Sequence, residues 1–147
     1  MKFFIVLFVL LSSLNAIVYD ESLKILDSLK QEAIVLGDGK NEVSVFVDPL
    51  CPHSRDFIEM IESSTKMKSL YTYYIYLYRL PRFDSQNYIS YIYNSKNRLQ
   101  ALKEIMILKQ NLDKKSFPTN KSEQTIKKIA ISIGVDKRPY LIIKRIK

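Results

Sequence analysis

Two prolines, Pro49 and Pro52, flank the only cysteine of the chain, Cys51, and they constrain the backbone more tightly than any other feature. Before them runs Val43-Ser-Val-Phe-Val47, β-branched and apolar, which predicts a buried strand ending at Asp48-Pro49. After them, Phe57, Ile58 and Ile61 fall on one side and Arg55, Asp56, Glu59 and Glu62 on the other, the spacing of a helix. Proline suits the first helical turn because its missing N–H would have no intrahelical partner there. The chain therefore passes from strand to helix between Asp48 and Pro52, with Cys51 at the helix N-terminus.

The same alternation continues on both sides. Leu23, Leu26 and Leu29 recur at three-residue spacing and predict a short helix from Asp20 to about Gln31. Ala33-Ile-Val-Leu36 follows, and Gly37 to Asn41 reads as a tight turn. Leu70 to Leu80, rich in tyrosine, predicts a strand apolar on both faces and so inside the sheet. Its tyrosines read as packing residues rather than a stacking platform. Pro81 to Asp84 breaks that strand, after which Ser85 to Tyr93 and Arg98 to Gln110 have helical spacing. Lys114 to Asn120 is a loop. Asn120 caps a further helix with Glu123 three residues on, and Gly134 ends it. A last strand, Tyr140 to Ile146, follows Pro139. Strands alternating with helices imply an α/β architecture with a mixed sheet, and 147 residues suit a single core.

The N-terminus reads differently. Met1-Lys2, the apolar run Phe3 to Leu11 and the exit Ser12 to Ala16 have the three parts of a secretory signal. The run is shorter than the roughly 20 residues a membrane span needs, so cleavage near Ala16 and an exported, periplasmic or secreted, protein are expected. Leu14 is bulky for the third position before the cut, which keeps an uncleaved membrane anchor as the alternative. Residues 1–16 are thus a signal, 17–32 a helical lead-in and 33–147 the domain. A lone cysteine allows no internal disulfide and no Cys-rich metal site, and with a single histidine no zinc set; no cofactor is expected. The net charge of +8 is spread along helical faces, which reads as a solvated basic surface. Nucleic acid is not expected as a partner, since no recognition motif is present.

Cys51 carries whatever chemistry there is. At a helix N-terminus, unpaired backbone N–H groups and the helix dipole favour the thiolate, the nucleophile of disulfide exchange. A buried packing residue is the alternative. His53, when protonated, adds a positive charge in the same turn, or else is an exposed helix residue.

The stretch from Val45 to Phe57, with Cys51-Pro52-His53-Ser54 at its centre, resembles the thioredoxin superfamily, and within it the catalytic domain of periplasmic disulfide isomerases of the DsbC and DsbG type. Gly134 to Leu141 is similar to the loop that carries a cis-proline opposite the active-site cysteine, and Tyr78 to Ser85 with the following helices is similar to the helical insertion of these domains. The resemblance implies a thioredoxin-like fold, a catalytic group of Cys51, Pro52, His53 and a cis Pro139, and Arg138 and Tyr140 as substrate-binding neighbours. It further implies thiol-disulfide exchange on exported proteins with cysteines or disulfides, helped by a small thiol or redox partner.

Three departures narrow that expectation. Ser54 occupies the place of the resolving cysteine, and a hydroxyl cannot release a mixed disulfide, so only a monothiol route is open. After the strand that follows Pro139 only Lys144 to Lys147 remain, where these domains continue with a strand and a helix; an uncovered sheet edge is expected, with a partner on it, a second copy paired through it or a truncated gene product as the open readings. Their separate dimerisation domain also has no counterpart. A catalytically inactive module that binds peptides or proteins is the alternative reading.

Overall fold

The computed structural model describes residues 21–112 and 115–144. The expected signal, residues 1–16, and the end of the expected last strand lie outside them. The described chain divides into two units, one ending at Gln31 and the other beginning at Glu32. The first contains helix α1 (residues 21–29), which passes into a 3-10 turn at Lys30–Glu32; the Lys30 ammonium meets the Asp27 carboxylate 2.9 Å away, one turn earlier.

The second unit runs β1 (Ile34–Leu36), β2 (Asn41–Val47), α2 (Pro52–Ser63), α3 (Thr65–Leu70), β3 (Tyr71–Leu77), α4 (Gln86–Asn94), α5 (Arg98–Met106), α6 (Lys121–Ser132) and β4 (Tyr140–Ile143). Its sheet has the order β1-β3-β2-β4. β2 and β3 are parallel, Val45 opposite Ile75, and are joined by the α2–α3 crossover that parallel pairing requires. β1 and β4 run antiparallel to their neighbours. Helices α4, α5 and α6, between β3 and β4, form the expected insertion; α4 packs on α5 and α6, α5 reaches β1 and α2, and α6 reaches β3.

The two central strands are central because they are apolar on both faces. Val43, Val45, Phe46 and Val47 of β2 and Tyr73, Ile75, Tyr76 and Leu77 of β3 are all buried, and the Phe46 and Tyr76 rings meet at 5.1 Å. Ile58 and Ile61 of α2, Ile89, Ile92 and Tyr93 of α4, and Leu102, Ile105 and Met106 of α5 complete the core.

Several elements differ from the sequence expectation: the strand expected from Leu70 to Leu80 runs from Tyr71 to Leu77, and the helix expected from Arg98 to Gln110 ends at Met106. The β3 strand starts at Tyr71 rather than Leu70 because the preceding six residues form α3, whose N-cap Ser64 accepts a hydrogen bond from the Met67 N–H at 3.2 Å. A polar six-residue stretch carries too little apolar periodicity to announce a helix. β1 is only three residues long, too short for alternation to register, and exists because β3 offers it an edge. It pairs with Tyr73–Ile75; two residues further on, the Leu77 N–H is taken instead by the Tyr93 hydroxyl at 3.0 Å. The turn entering β2 needs Gly39, because a Cβ there would lie 2.0 Å from the Leu70 carbonyl carbon. At the other end, α6 has the full capping box of Asn120 and Glu123. It closes with Gly134 at φ +73°, whose N–H donates to the Ile131 carbonyl while Val135 donates to Ala130, the two bonds of a Schellman motif.

Candidate functional site

The C-terminal ends of β2 and β3 lie side by side, and the site is assembled there. β2 stops at Val47 because Asp48 folds its side chain forward: Oδ1 accepts from the Leu50 N–H at 2.9 Å, an Asx turn that stands in for a backbone turn. The Asp48 carbonyl then accepts from the Cys51 N–H at 3.1 Å. Cys51 is the N-cap of α2, with Pro52 in its first turn, and its own carbonyl accepts the first helical bond from Arg55. Arg55 reaches back to hold the Pro49 carbonyl at 2.7 Å. Strand, turn and helix start are therefore one braced unit.

Asp48 is fully buried and ties this turn to two segments far along the chain. Its Oδ2 accepts from the Leu80 N–H at 2.5 Å and from the Ser85 hydroxyl at 2.9 Å. Ser85 precedes α4 but does not cap it through its side chain; its hydroxyl serves Asp48 instead. Sequence reasoning treated Asp48 only as a strand end. The local half of its role is legible, since an Asp before Pro can accept from the N–H two residues on in an Asx turn; the reach to residues 80 and 85 is not.

The residues singled out from the sequence fall in distinct places. Cys51 has no exposed surface, and its Sγ lies 3.9 Å from the carbonyl oxygen of Arg138, which brings together two segments 87 residues apart in sequence. Pro139 follows at once, and the Arg138–Pro139 peptide bond is cis. Pro52 and His53 are exposed. Ser54 is fully buried, and its hydroxyl accepts from the Asp48 N–H at 3.2 Å, so the side chain at the expected resolving position braces the turn. Tyr140 opens β4 opposite Phe46.

Arg138, expected to meet a substrate, has its side chain turned inward. Nε donates to the Tyr78 carbonyl at 2.8 Å, Nη1 to the Lys137 carbonyl at 2.7 Å and Nη2 to the Arg79 carbonyl at 3.4 Å. The guanidinium also lies 4.1 Å from the centre of the Tyr78 ring. Burial pulls its pKa below the usual arginine value, against the opposing influence of Tyr78, Asp48 and Asp136. A guanidinium has five donors in a rigid fork, and three of them are taken here by carbonyls just past β3 and in the loop. A cavity of about 490 Å³ opens at the same end of the sheet and shares Tyr78 and Arg79 with this anchorage. Among the described residues, no group of three or more His, Cys, Asp or Glu side chains is placed to hold a metal, and no helix is long and apolar enough to cross a membrane.

No family model and no curated protein matches the sequence. Solved structures do match. A disulfide interchange protein from Neisseria gonorrhoeae superposes with a TM-score of 0.63 at 23% identity, over 77% of this chain and 80% of that one. DsbG from Helicobacter pylori gives 0.69 at 16% identity, over 90% of this chain and 66% of that one. The fold is thioredoxin-like. A linker-deletion variant of ScsC from Proteus mirabilis gives 0.52 at 19% identity, over 90% of this chain and 76% of that one. Within the thioredoxin-like class the resemblance is to disulfide interchange proteins, and at these identities it is a likeness of fold. In this thioredoxin-like frame Cys51 stands at the start of the helix that follows the central strand β2, and the Arg138–Pro139 segment faces it.

Proposed function

We propose that the protein is an exported thiol-disulfide exchange protein that works through Cys51 alone. The observation that carries the reading is the meeting of Cys51, at the N-cap of α2, with the Arg138 carbonyl just before Pro139. Packing alone asks for no such pairing of a helix-start sulfur with a loop 87 residues away. In the exchange, the Cys51 thiolate attacks one sulfur of a substrate disulfide. An S–S bond forms to Cys51 as the substrate bond breaks, and the second substrate sulfur leaves as a thiolate. That thiolate, another on the same substrate, or a small thiol then attacks the mixed disulfide and frees Cys51. The first return restores the original disulfide, the second isomerises the substrate with no net redox change, and the third leaves the small thiol bonded to the substrate sulfur, from which a second small thiol displaces it, so that the substrate is reduced and the two small thiols leave as their disulfide. Ser54 can take no part, because its hydroxyl is committed to the Asp48 N–H and oxygen does not enter disulfide exchange. His53 faces solvent, where it meets an approaching substrate rather than the sulfur. The cavity beside Tyr78 and Arg79 gives the substrate chain a place to lie, and Pro139 and Tyr140, which follow the Arg138 carbonyl in the chain, are its binding neighbours. Exported proteins with cysteines are the substrates, and a signal over residues 1–16 is the route out of the cytoplasm.

The test is trapping. The mature chain is incubated with reduced and partly oxidised exported proteins, quenched with acid, and its mixed disulfides are read by mass spectrometry beside Cys51→Ala. Adducts through Cys51 that dissolve on adding a small thiol are expected.

A second reading has its own observation. Among the described residues β4 is an edge strand whose Leu141 and Ile143 side chains are 41% and 53% exposed, and a bare apolar edge accepts an added strand from a peptide or a second copy without any thiol. If native Cys51 forms no adduct and Cys51→Ala retains its partners, this binding reading replaces exchange.

A further inference from the structure

A sulfur with no exposed surface cannot meet a disulfide, because exchange passes through a species in which the attacking sulfur touches the sulfur it attacks. Whatever covers Cys51 must first move. The group 3.9 Å from its Sγ is the Arg138 carbonyl, carried by the loop between α6 and β4. That loop has exposed residues at Asp136 and Lys137, and Gly134 ahead of them has open space where a Cβ would stand. Its α6 end is held by Val135, buried and bonded to the Ala130 carbonyl. The stretch that carries the Arg138 carbonyl is held by the Arg138 side chain, 7% exposed as a residue, which reaches across to the end of β3. There the fork spans the Tyr78 and Arg79 carbonyls, doubles back to that of Lys137, and lies over the Tyr78 ring. Tyr78 is itself anchored, its N–H donating to the Val47 carbonyl at 2.9 Å, so the far end of the tether does not yield.

We propose that the Arg138 side chain is a latch: it holds its own backbone carbonyl over Cys51, so that the resting thiol is concealed, and exchange occurs only from the state in which that side chain has left Tyr78. The proposal rests on the reading of Cys51 as the exchanging thiol and adds how its exposure is controlled. Arg138 is thereby a positioning residue. Its charge is not what the latch needs most; the geometry is a planar fork matched to the Tyr78 and Arg79 carbonyls and a flat cation matched to a ring face, which lysine supplies only in part.

The experiment measures the rate at which iodoacetamide alkylates Cys51 in the full chain at fixed pH, by intact mass, for wild type, Arg138→Ala, Arg138→Lys, Tyr78→Leu and Ile105→Val. The last weakens the core far from the loop and controls for loss of global stability. Each protein is also measured across urea concentrations below its unfolding transition, because opening of one loop exposes little surface and barely responds to urea, whereas global unfolding responds steeply. Arg138→Ala should alkylate faster than wild type by about tenfold or more, the factor expected from losing charged hydrogen bonds together with a cation–ring contact, and Tyr78→Leu, which loses the ring contact and keeps the backbone carbonyls, by about two- to fivefold. That acceleration should be flat in urea, with Arg138→Lys between and Ile105→Val at the wild-type rate. Wild-type rates in the Arg138→Ala and Tyr78→Leu proteins, or faster rates that climb with urea as global unfolding does, overturn the latch. Should Arg138→Ala not fold, Arg138→Lys and Tyr78→Leu decide the matter by the same criteria. The same proteins are then offered oxidised glutathione. Fast alkylation without any mixed disulfide sinks the exchange reading and leaves the latch standing, whereas mixed disulfides formed at one rate in every variant sink the latch and leave exchange.

Discussion

Replacing Asp48 by alanine should cost the fold about 3 to 5 kcal/mol, the usual loss when one member of a buried charged network is removed. The structure supplies the parts of that figure. Three donors lose their acceptor: the Leu80 N–H at 2.5 Å, the Ser85 hydroxyl at 2.9 Å and the Leu50 N–H at 2.9 Å. An orphaned buried donor costs about 1 to 3 kcal/mol. The Ser85 hydroxyl can rotate toward another acceptor and the partly buried Leu50 N–H can turn to water, which leaves the Leu80 N–H as the fixed loss. To it are added the space vacated by the carboxylate and the loss of a negative charge that supports Arg138. Asp48→Asn should fall between, at about 1 to 3 kcal/mol, because its carbonyl oxygen still serves Leu80 and Ser85 while its amide N–H groups confront the Leu50 N–H. Urea unfolding followed by circular dichroism measures both. The midpoint should drop with the slope unchanged, and the Tm of the alanine variant should fall by roughly 10 to 15 °C for a chain of this length. If alanine costs less than about 1 kcal/mol, the network does not hold the strand-to-helix turn. If asparagine costs as much as alanine, charge rather than acceptor count governs the site.

Other substitutions test other joints. Glu62 is buried enough to favour its neutral form, yet Lys103 at 2.8 Å and Lys68 at 3.6 Å outweigh that and hold its pKa below the usual 4.5. Below 4.5 the unfolded chain therefore takes up the proton first, so this contribution is present above about pH 4.5 and lost as pH falls through the lower folded value; the Tm difference between wild type and Glu62→Gln should shrink over that range, and a constant difference would refute the assignment. Tyr93→Phe removes the acceptor of the Leu77 N–H and should cost about 1 to 3 kcal/mol in urea unfolding, with a neutral outcome meaning that water reaches β3. Gly39→Ala forces a Cβ against the Leu70–Tyr71 peptide and should cost about 1 to 3 kcal/mol or more, visible as a lower Tm, whereas a wild-type Tm would show the turn to be pliant.

What could be read in the residues beforehand was what neighbours in sequence decide. The strand at Val43, the helix start at Pro52, the capping box of Asn120 and Glu123 and the stop at Gly134 all follow from interactions spanning four residues or fewer, so spacing and residue type sufficed. The position of Cys51 at the N-cap belongs to this group, as does the expectation of an interior strand in the tyrosine-rich segment. The three-residue β1 and the polar α3 escaped because neither spans two full repeats of its period and each depends on β3 or on a cap for its existence.

The state of the site was decided elsewhere. That Cys51 is concealed depends on a carbonyl 87 residues away; that Asp48 is a hub depends on Leu80 and Ser85 arriving from beyond β3; that Arg138 points inward depends on Tyr78 and Arg79 presenting two carbonyls and a ring at its reach. Local physics selects the residue that stands at a helix start. Whether its sulfur can be touched is a matter of burial, and burial is a property of segments that meet only after the sheet has formed.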